Sequence, residues 1–103
     1  MLVHAVYFEL HDPSPESVQA AVASCRSLLS GHPGMSFFAA GARGREFARP
    51  VNDCAFDVAL FTIFADKAAH DRYQEHPRHL KFVAENRERW KSVRVFDSWA
   101  AGA

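Results

Sequence analysis

Residues 54–64 read CAFDVALFTIF, the longest apolar run in the chain. Phe and β-branched residues dominate it, and loop and cap signals bound it, which marks a strand rather than a helix. Strict alternation is missing: apolar residues occupy odd and even positions alike, with Asp57 the single acid. A strand of this kind has to be covered on both faces. The opening stretch LVHAVYFEL, residues 2–10, makes the same demand, with only His4 and Glu9 interrupting it. A chain of 103 residues forms one domain with a limited core, so the cover for two apolar sheet faces is the main constraint on its fold.

The remaining segments supply one layer of that cover. After the first strand, Ser14 can cap a helix, Pro15 suits its first position and Glu16 complements its dipole. Val18, Ala21, Val22, Cys25, Leu28 and Leu29 then recur at helical spacing, and GHPG at 31–34 closes the helix. MSFFAAGA, residues 35–42, reads as a second strand and RGREFARPVND, residues 43–53, as a loop. The third strand is the 54–64 run. Asp66 caps a helix over KAAHDRYQEH, and Pro77 both ends that helix and opens the next, with His76 as the cap between them. In PRHLKFVAENRERW the residues Leu80, Val83, Arg87 and Trp90 fall on one line, with His79 and Phe82 beside it. SVRVFDSW, residues 92–99, is the last strand, and AAGA is a short tail without a structural signal.

The order β-α-β-β-α-α-β predicts an α+β, ferredoxin-like four-stranded antiparallel sheet with helices on one face. The domain spans residues 1–100, with 101–103 as the tail. The other sheet face stays bare and apolar, and a second copy of the chain is the simplest layer to cover it. A homodimer through the sheet face is therefore expected, consistent with an aromatic content of 13%.

Composition narrows the function classes. Twelve acidic and twelve basic residues balance, and no long basic block offers a footprint for nucleic acid. ENRERWK is densely charged but mixed in sign, as on a solvated helix face. No stretch reads as a signal peptide or a membrane span. Cys25 and Cys54 match no zinc or redox spacing. A reduced cytoplasmic location follows. Neither a GxSxG elbow nor a phosphate-binding glycine loop is present, and no cofactor is implied.

The segment DRYQEHPRHLKF, residues 71–82, concentrates the polar chemistry. His76 and His79 are three apart, as in some metal sites, but Pro77 breaks the helix between them and no HExxH or carboxylate set completes the group. The expectation is no metal. His11, His32 and His70 read as loop or exposed-helix residues. Asp57 and Asp97, acids inside apolar strands, call for a partner or a place in a pocket. The structural reading is preferred for Asp97.

HAVYFEL, FDVALFTIFAD, the corner YQEHPRH and SVRVFDSW together resemble the stress-response A/B barrel domain (Dabb) proteins, and the likeness extends over nearly the whole chain. It implies a dimeric α+β barrel of ferredoxin-like topology. The family includes a plant polyketide cyclase, olivetolic acid cyclase, in which a tyrosine and a histidine of the corner motif do acid–base work. The matching positions are Tyr73 and His79, and His4 matches a pocket histidine of the first strand. A further pocket histidine of that cyclase has no counterpart, since Val58 stands at its place beside Asp57.

The resemblance thus implies catalytic roles for His79 and Tyr73 and a pocket place for His4, and Asp57, an acid in an apolar strand, and Phe82 are the further candidates to line that ligand pocket. In the first turn of a helix the dipole disfavours imidazolium, which suits His79 as a base, while Tyr73 can polarise a carbonyl. A pocket between sheet and helices would take a small apolar or aromatic molecule. Acid–base chemistry such as cyclisation or isomerisation is the leading enzymatic reading. A cofactor-free monooxygenase is the alternative by fold analogy, and a stress-related dimer with only a packing defect is the non-catalytic one.

Overall fold

In the computed structural model, which describes residues 1–103, the chain runs β1 (Leu2–Leu10), α1 (Pro15–Leu29), β2 (Met35–Ala42), β3 (Val58–Phe64), α2 (Lys67–Glu75), α3 (Pro77–Asn86) and β4 (Trp90–Trp99). A single 3-10 turn over Arg87–Arg89 joins α3 to β4. The strands form one sheet in the order β2-β3-β1-β4, and every neighbouring pair is antiparallel. This is the expected ferredoxin-like α+β topology. The molecule measures 35 × 33 × 17 Å, and its shortest dimension accommodates one sheet and one helical layer but no third layer.

The core lies between those two layers. Leu2, Val6, Phe8 and Leu10 of β1 and Val58, Leu60 and Phe64 of β3 point towards the helices. They meet Val18, Ala21, Cys25 and Leu29 of α1, Tyr73 of α2 and Phe82 of α3. The cap readings hold in detail. Ser14 Oγ accepts from the Ser17 amide at 3.3 Å, and Asp66 Oδ1 accepts from the Ala69 amide at 2.8 Å. Burial pushes the Cys25 thiol up to about 12, so this cysteine is a packing residue rather than a nucleophile. Both cysteines are free.

The opposite sheet face is uncovered. The pairing register places Ala5 between Phe61 and Phe96, and Val3 opposite Ile63, which in turn faces Phe37. Phe37, Phe61 and Phe96 remain 49%, 39% and 55% exposed, a contiguous aromatic surface rather than scattered apolar residues.

Three boundaries differ from the sequence reading. β3 begins at Val58, not at Cys54. Asp57 precedes it: its amide donates to Phe8 O at 2.8 Å, while its side chain accepts the Leu10 amide at 2.8 Å. That amide lies where the β1–β4 register shifts between Glu9 and Leu10, so the carboxylate stands in for a strand partner. α3 ends at Asn86, which is buried because its side chain donates to Phe82 O and to Ser24 Oγ of α1. The buried face of α3 is therefore Phe82 and Asn86, with His79 and Val83 at its margin, and Leu80 is exposed. β4 begins two residues early, at Trp90.

Gly34 carries the tightest backbone requirement. Its φ is +79°, its carbonyl accepts from the Ala65 amide at 2.8 Å, and a Cβ there would overlap the Ala69 side chain. Left-handed strain and the overlap act together. Gly34→Ala is expected to cost about 2–4 kcal/mol, read as a lowered midpoint in urea unfolding at unchanged slope.

Candidate functional site

The corner between α2 and α3 is built around His76. Its backbone amide donates to Tyr73 O at 3.2 Å, closing α2, and its ring Nδ1 accepts the Arg78 amide at 3.1 Å, opening α3. Pro77 gives up no hydrogen bond at the first helical position. The Arg78 guanidinium reaches across to donate to Ser27 O at 2.7 Å and Ser30 O at 3.0 Å, carbonyls at the end of α1. Tyr73 and His79 are thereby turned towards each other, with ring centroids 4.7 Å apart in an edge-on arrangement.

Tyr73 is almost wholly buried and stands inside a sheath of imidazoles. The centroids of His79, His32, His4 and His70 lie 4.7, 4.9, 6.2 and 6.5 Å from its own. Phe64 closes the remaining side at 4.9 Å. Below it on the sheet, His4 Nδ1 is 2.5 Å from Asp97 Oδ1, directly across the β1–β4 pair. Asp97 thus pairs with a histidine, fulfilling the structural reading with a partner the sequence did not suggest.

A cavity of about 180 Å³ lies beside this cluster, between the sheet and the corner. Ten of its 13 lining residues are hydrophobic, Tyr73 among them, and its polar members are His4, Gln74 and His79. The Tyr73 hydroxyl and His79 Nδ1 are buried and have no hydrogen-bond partner. Such atoms cost about 1–3 kcal/mol each when left unpaired, and the two residues that carry them line the same hollow.

The electrostatics favour neutral groups. Burial, reinforced by the neighbouring His4, His32 and His70, lowers the His79 imidazole to about 4. Burial also lowers His4, although its hydrogen bond to Asp97 opposes the shift, and lowers His32. Burial raises the Tyr73 phenol, with the nearby Cys25 adding to the effect. Near neutral pH the pair is therefore a neutral imidazole and an intact phenol, one able to take a proton and the other able to donate a hydrogen bond.

The structure brings together four of the five residues named from sequence. His79, Tyr73, His4 and Phe82 all line the cavity. Asp57 does not: it is at the Leu10 end of β1, beside Arg45. Two histidines read as exposed or loop residues belong to the cluster instead. His32 is buried in the turn after α1, with Nε2 bonded to Leu28 O at 2.9 Å, and His70 packs edge-on against His4. The spacing of His70 and Tyr73, one helical turn apart, was the available signal for the latter. A larger hollow of about 510 Å³ lies on the open sheet face, among Arg43, Arg94, Phe56 and Phe96. It opens onto the surface that lacks a covering layer and is lined by Arg43, whose Nε is likewise buried without a partner, but Tyr73 and His79 are not in it.

Known proteins resemble this chain along its whole length. The family model described as Stress responsive A/B Barrel Domain matches residues 2–100. Among solved structures, a dabb family protein with a ferredoxin-like fold from Mesorhizobium loti is 24% identical, with a TM-score of 0.80 over 98% of this chain and 97% of that one. A dimeric ferredoxin-like protein of unknown function from Jannaschia sp. is 27% identical, with a TM-score of 0.72 over 96% and 98% of the two chains. The hydroxynitrile lyase from Passiflora edulis is 18% identical, with a TM-score of 0.76 over 99% and 94%. No curated protein matches the sequence significantly.

The lowered imidazole has a stability consequence. In the unfolded chain His79 would titrate near 6.5, and in the folded chain it does so at about 4. The unfolded state binds the proton more readily, so stability is complete above pH 6.5 and declines as the pH falls towards 4. The expected loss from this residue is about 3 kcal/mol, with His4 and His32 acting in the same direction. Denaturant titrations at pH 7.5 and 4.5 in metal-free buffer should show the loss, and His79→Gln should reduce it by more than half.

Proposed function

This chain belongs to the stress-responsive A/B barrel domain family, and we propose that it binds a small apolar or aromatic carbonyl compound in the cavity beneath the corner and moves a proton on it. The carrying observation is that Tyr73 and His79, each with a buried polar atom that has no partner, line one mostly apolar hollow. A volume of about 180 Å³ is smaller than the roughly 300–1,000 Å³ of drug-sized sites, which favours a monocyclic molecule. In this reading the Tyr73 hydroxyl donates to the carbonyl oxygen, and the neutral His79 imidazole takes a proton from the adjacent carbon. Apolar walls strengthen both interactions by excluding water. The hydroxynitrile lyase of similar fold supports the view that this architecture accommodates enzymatic chemistry.

The test is α-proton exchange of phenylacetaldehyde or acetophenone in D₂O, followed by NMR. The wild-type chain should accelerate exchange beyond equimolar imidazole, and His79→Ala and Tyr73→Phe should each lower the rate by about 10²–10⁴-fold. Exchange no faster than with imidazole, or insensitive to both substitutions, defeats the catalytic role. Because the His79 ring makes no hydrogen bond within the chain, His79→Ala should itself cost no more than about 2 kcal/mol.

The same proposal includes a homodimer through the open sheet face. Phe37, Phe61 and Phe96 supply an apolar centre, and the similar Jannaschia protein is described as dimeric. In sedimentation velocity the wild-type chain should run as a dimer of twice 11.5 kDa, and Phe61→Glu should shift it to monomer. A wild-type monomer at every concentration would refute the sheet-face assembly.

A further inference from the structure

We propose that His4, His70 and Asp97 form a binding site for one divalent transition-metal ion of the zinc, cobalt or nickel type, built from three different elements of the fold. This inference is independent of the carbonyl chemistry above. His4 is on β1, Asp97 is its direct partner on β4, and His70 comes from the inner face of α2, one turn before Tyr73. One donor atom from each residue lies within 4.8 Å of the other two. A four-coordinate ion with bonds of 2.0–2.2 Å holds its ligand atoms roughly 3.3 Å apart. Small ring and carboxylate rotations bring the trio to that spacing, with the ion parting His4 from Asp97.

The donor set selects the metal class. Two imidazole nitrogens and one carboxylate oxygen suit zinc and its neighbours, whereas calcium and magnesium take oxygen ligands. Three protein ligands leave at least one coordination position open, as in sites where a metal holds water or another small ligand. The surroundings supply outer support for one ring nitrogen of His70. Asp71 Oδ1 lies 3.4 Å from Nδ1, so with Nε2 on the metal the Nδ1–H has a carboxylate to donate to. Phe64 packs against both histidine rings, at 6.4 and 5.5 Å between centroids, and restricts their tilt.

The His4–Asp97 hydrogen bond alone leaves one observation without a role. It does not account for a second imidazole packed edge-on at 4.7 Å from the first, within reach of the same carboxylate. A cation bound by all three gives that arrangement a purpose. The expectation of no metal rested on His76 and His79, which the corner does separate into a cap and a cavity residue, and on reading His70 as an exposed-helix residue, whereas it packs against His4. The trio falls outside any short spacing pattern because its members are far apart in sequence.

The test uses the full chain, stripped with a chelator and dialysed, then titrated with Co²⁺ while the visible d–d absorption is recorded. One saturable equivalent per chain is expected, displaced by Zn²⁺. His70→Asn and Asp97→Asn should each weaken Co²⁺ binding at least 100-fold, while His11→Asn leaves it unchanged. Metal-free thermal melts establish that each variant is folded, and two separate ligand variants guard against one that is not. A spectrum that never saturates overturns the site. So does binding that either ligand substitution weakens less than tenfold.

Discussion

Two hydrogen bonds made by His76 decide where the chemistry of this chain can be. Its amide closes one helix on Tyr73 O and its ring opens the next on the Arg78 amide. Without the break, residues 67–86 would continue as one helix, and Tyr73 and His79 would lie six positions apart on different faces. With it, the chain bends by one residue, and the two rings converge over the sheet at 4.7 Å. Pro77 makes the bend compatible with an uninterrupted hydrogen-bond inventory, because the amide it lacks is one that a helix start leaves free. The cavity, the orientation of His79 and the burial of Tyr73 all follow from that junction.

The cluster beneath the junction opposes the usual logic of a core. Four imidazoles surround one phenol, and two of the buried polar atoms facing the cavity have no partner. Apolar packing of Phe8, Leu60, Phe64 and Phe82 around it offsets those unsatisfied groups. The same packing lowers the His79, His4 and His32 imidazoles and so favours their neutral forms, since a charge on any of the three is poorly solvated. Stability is thus given up for polarity held at fixed positions, which is the ground for the proposed site.

Much of this was legible in the sequence. Both-face apolar strands required a sheet with two covering layers, and cap residues located the helices to within a residue or two. Pro77 with His76 located the corner. What escaped were features set by pairing across the sheet. Asp57 sits in an apolar run, yet the strand starts after it, because the amide of Leu10 needs an acceptor where the β1–β4 register shifts. Leu80 fitted a helical stripe, but Asn86, tied to Ser24 of α1, turns α3 onto a different face. His32 and His70 join the cluster through contacts between separate elements, which no local spacing encodes. Asp97 could be assigned a need for a partner but not the identity of His4, a residue at the far end of the chain.

Arg78 adds a property of a different kind. Its backbone is held by the His76 ring and its side chain by the last carbonyls of α1, so the junction is bolted to two helices at once. A residue gained or lost between Tyr73 and Pro77 would slide one attachment out of reach of the other. The exposed segment 43–53 between β2 and β3 is tied down near its two ends, by Arg43 and Arg45 to Asp57 and by Asp53 to Arg94, and the residues between can vary in length while the sheet stays in register. A change of length is therefore less disruptive in segment 43–53 than in the α2–α3 corner, which behaves as a fixed cassette. Transplanting that cassette into another scaffold would require the final turn of α1 to travel with it.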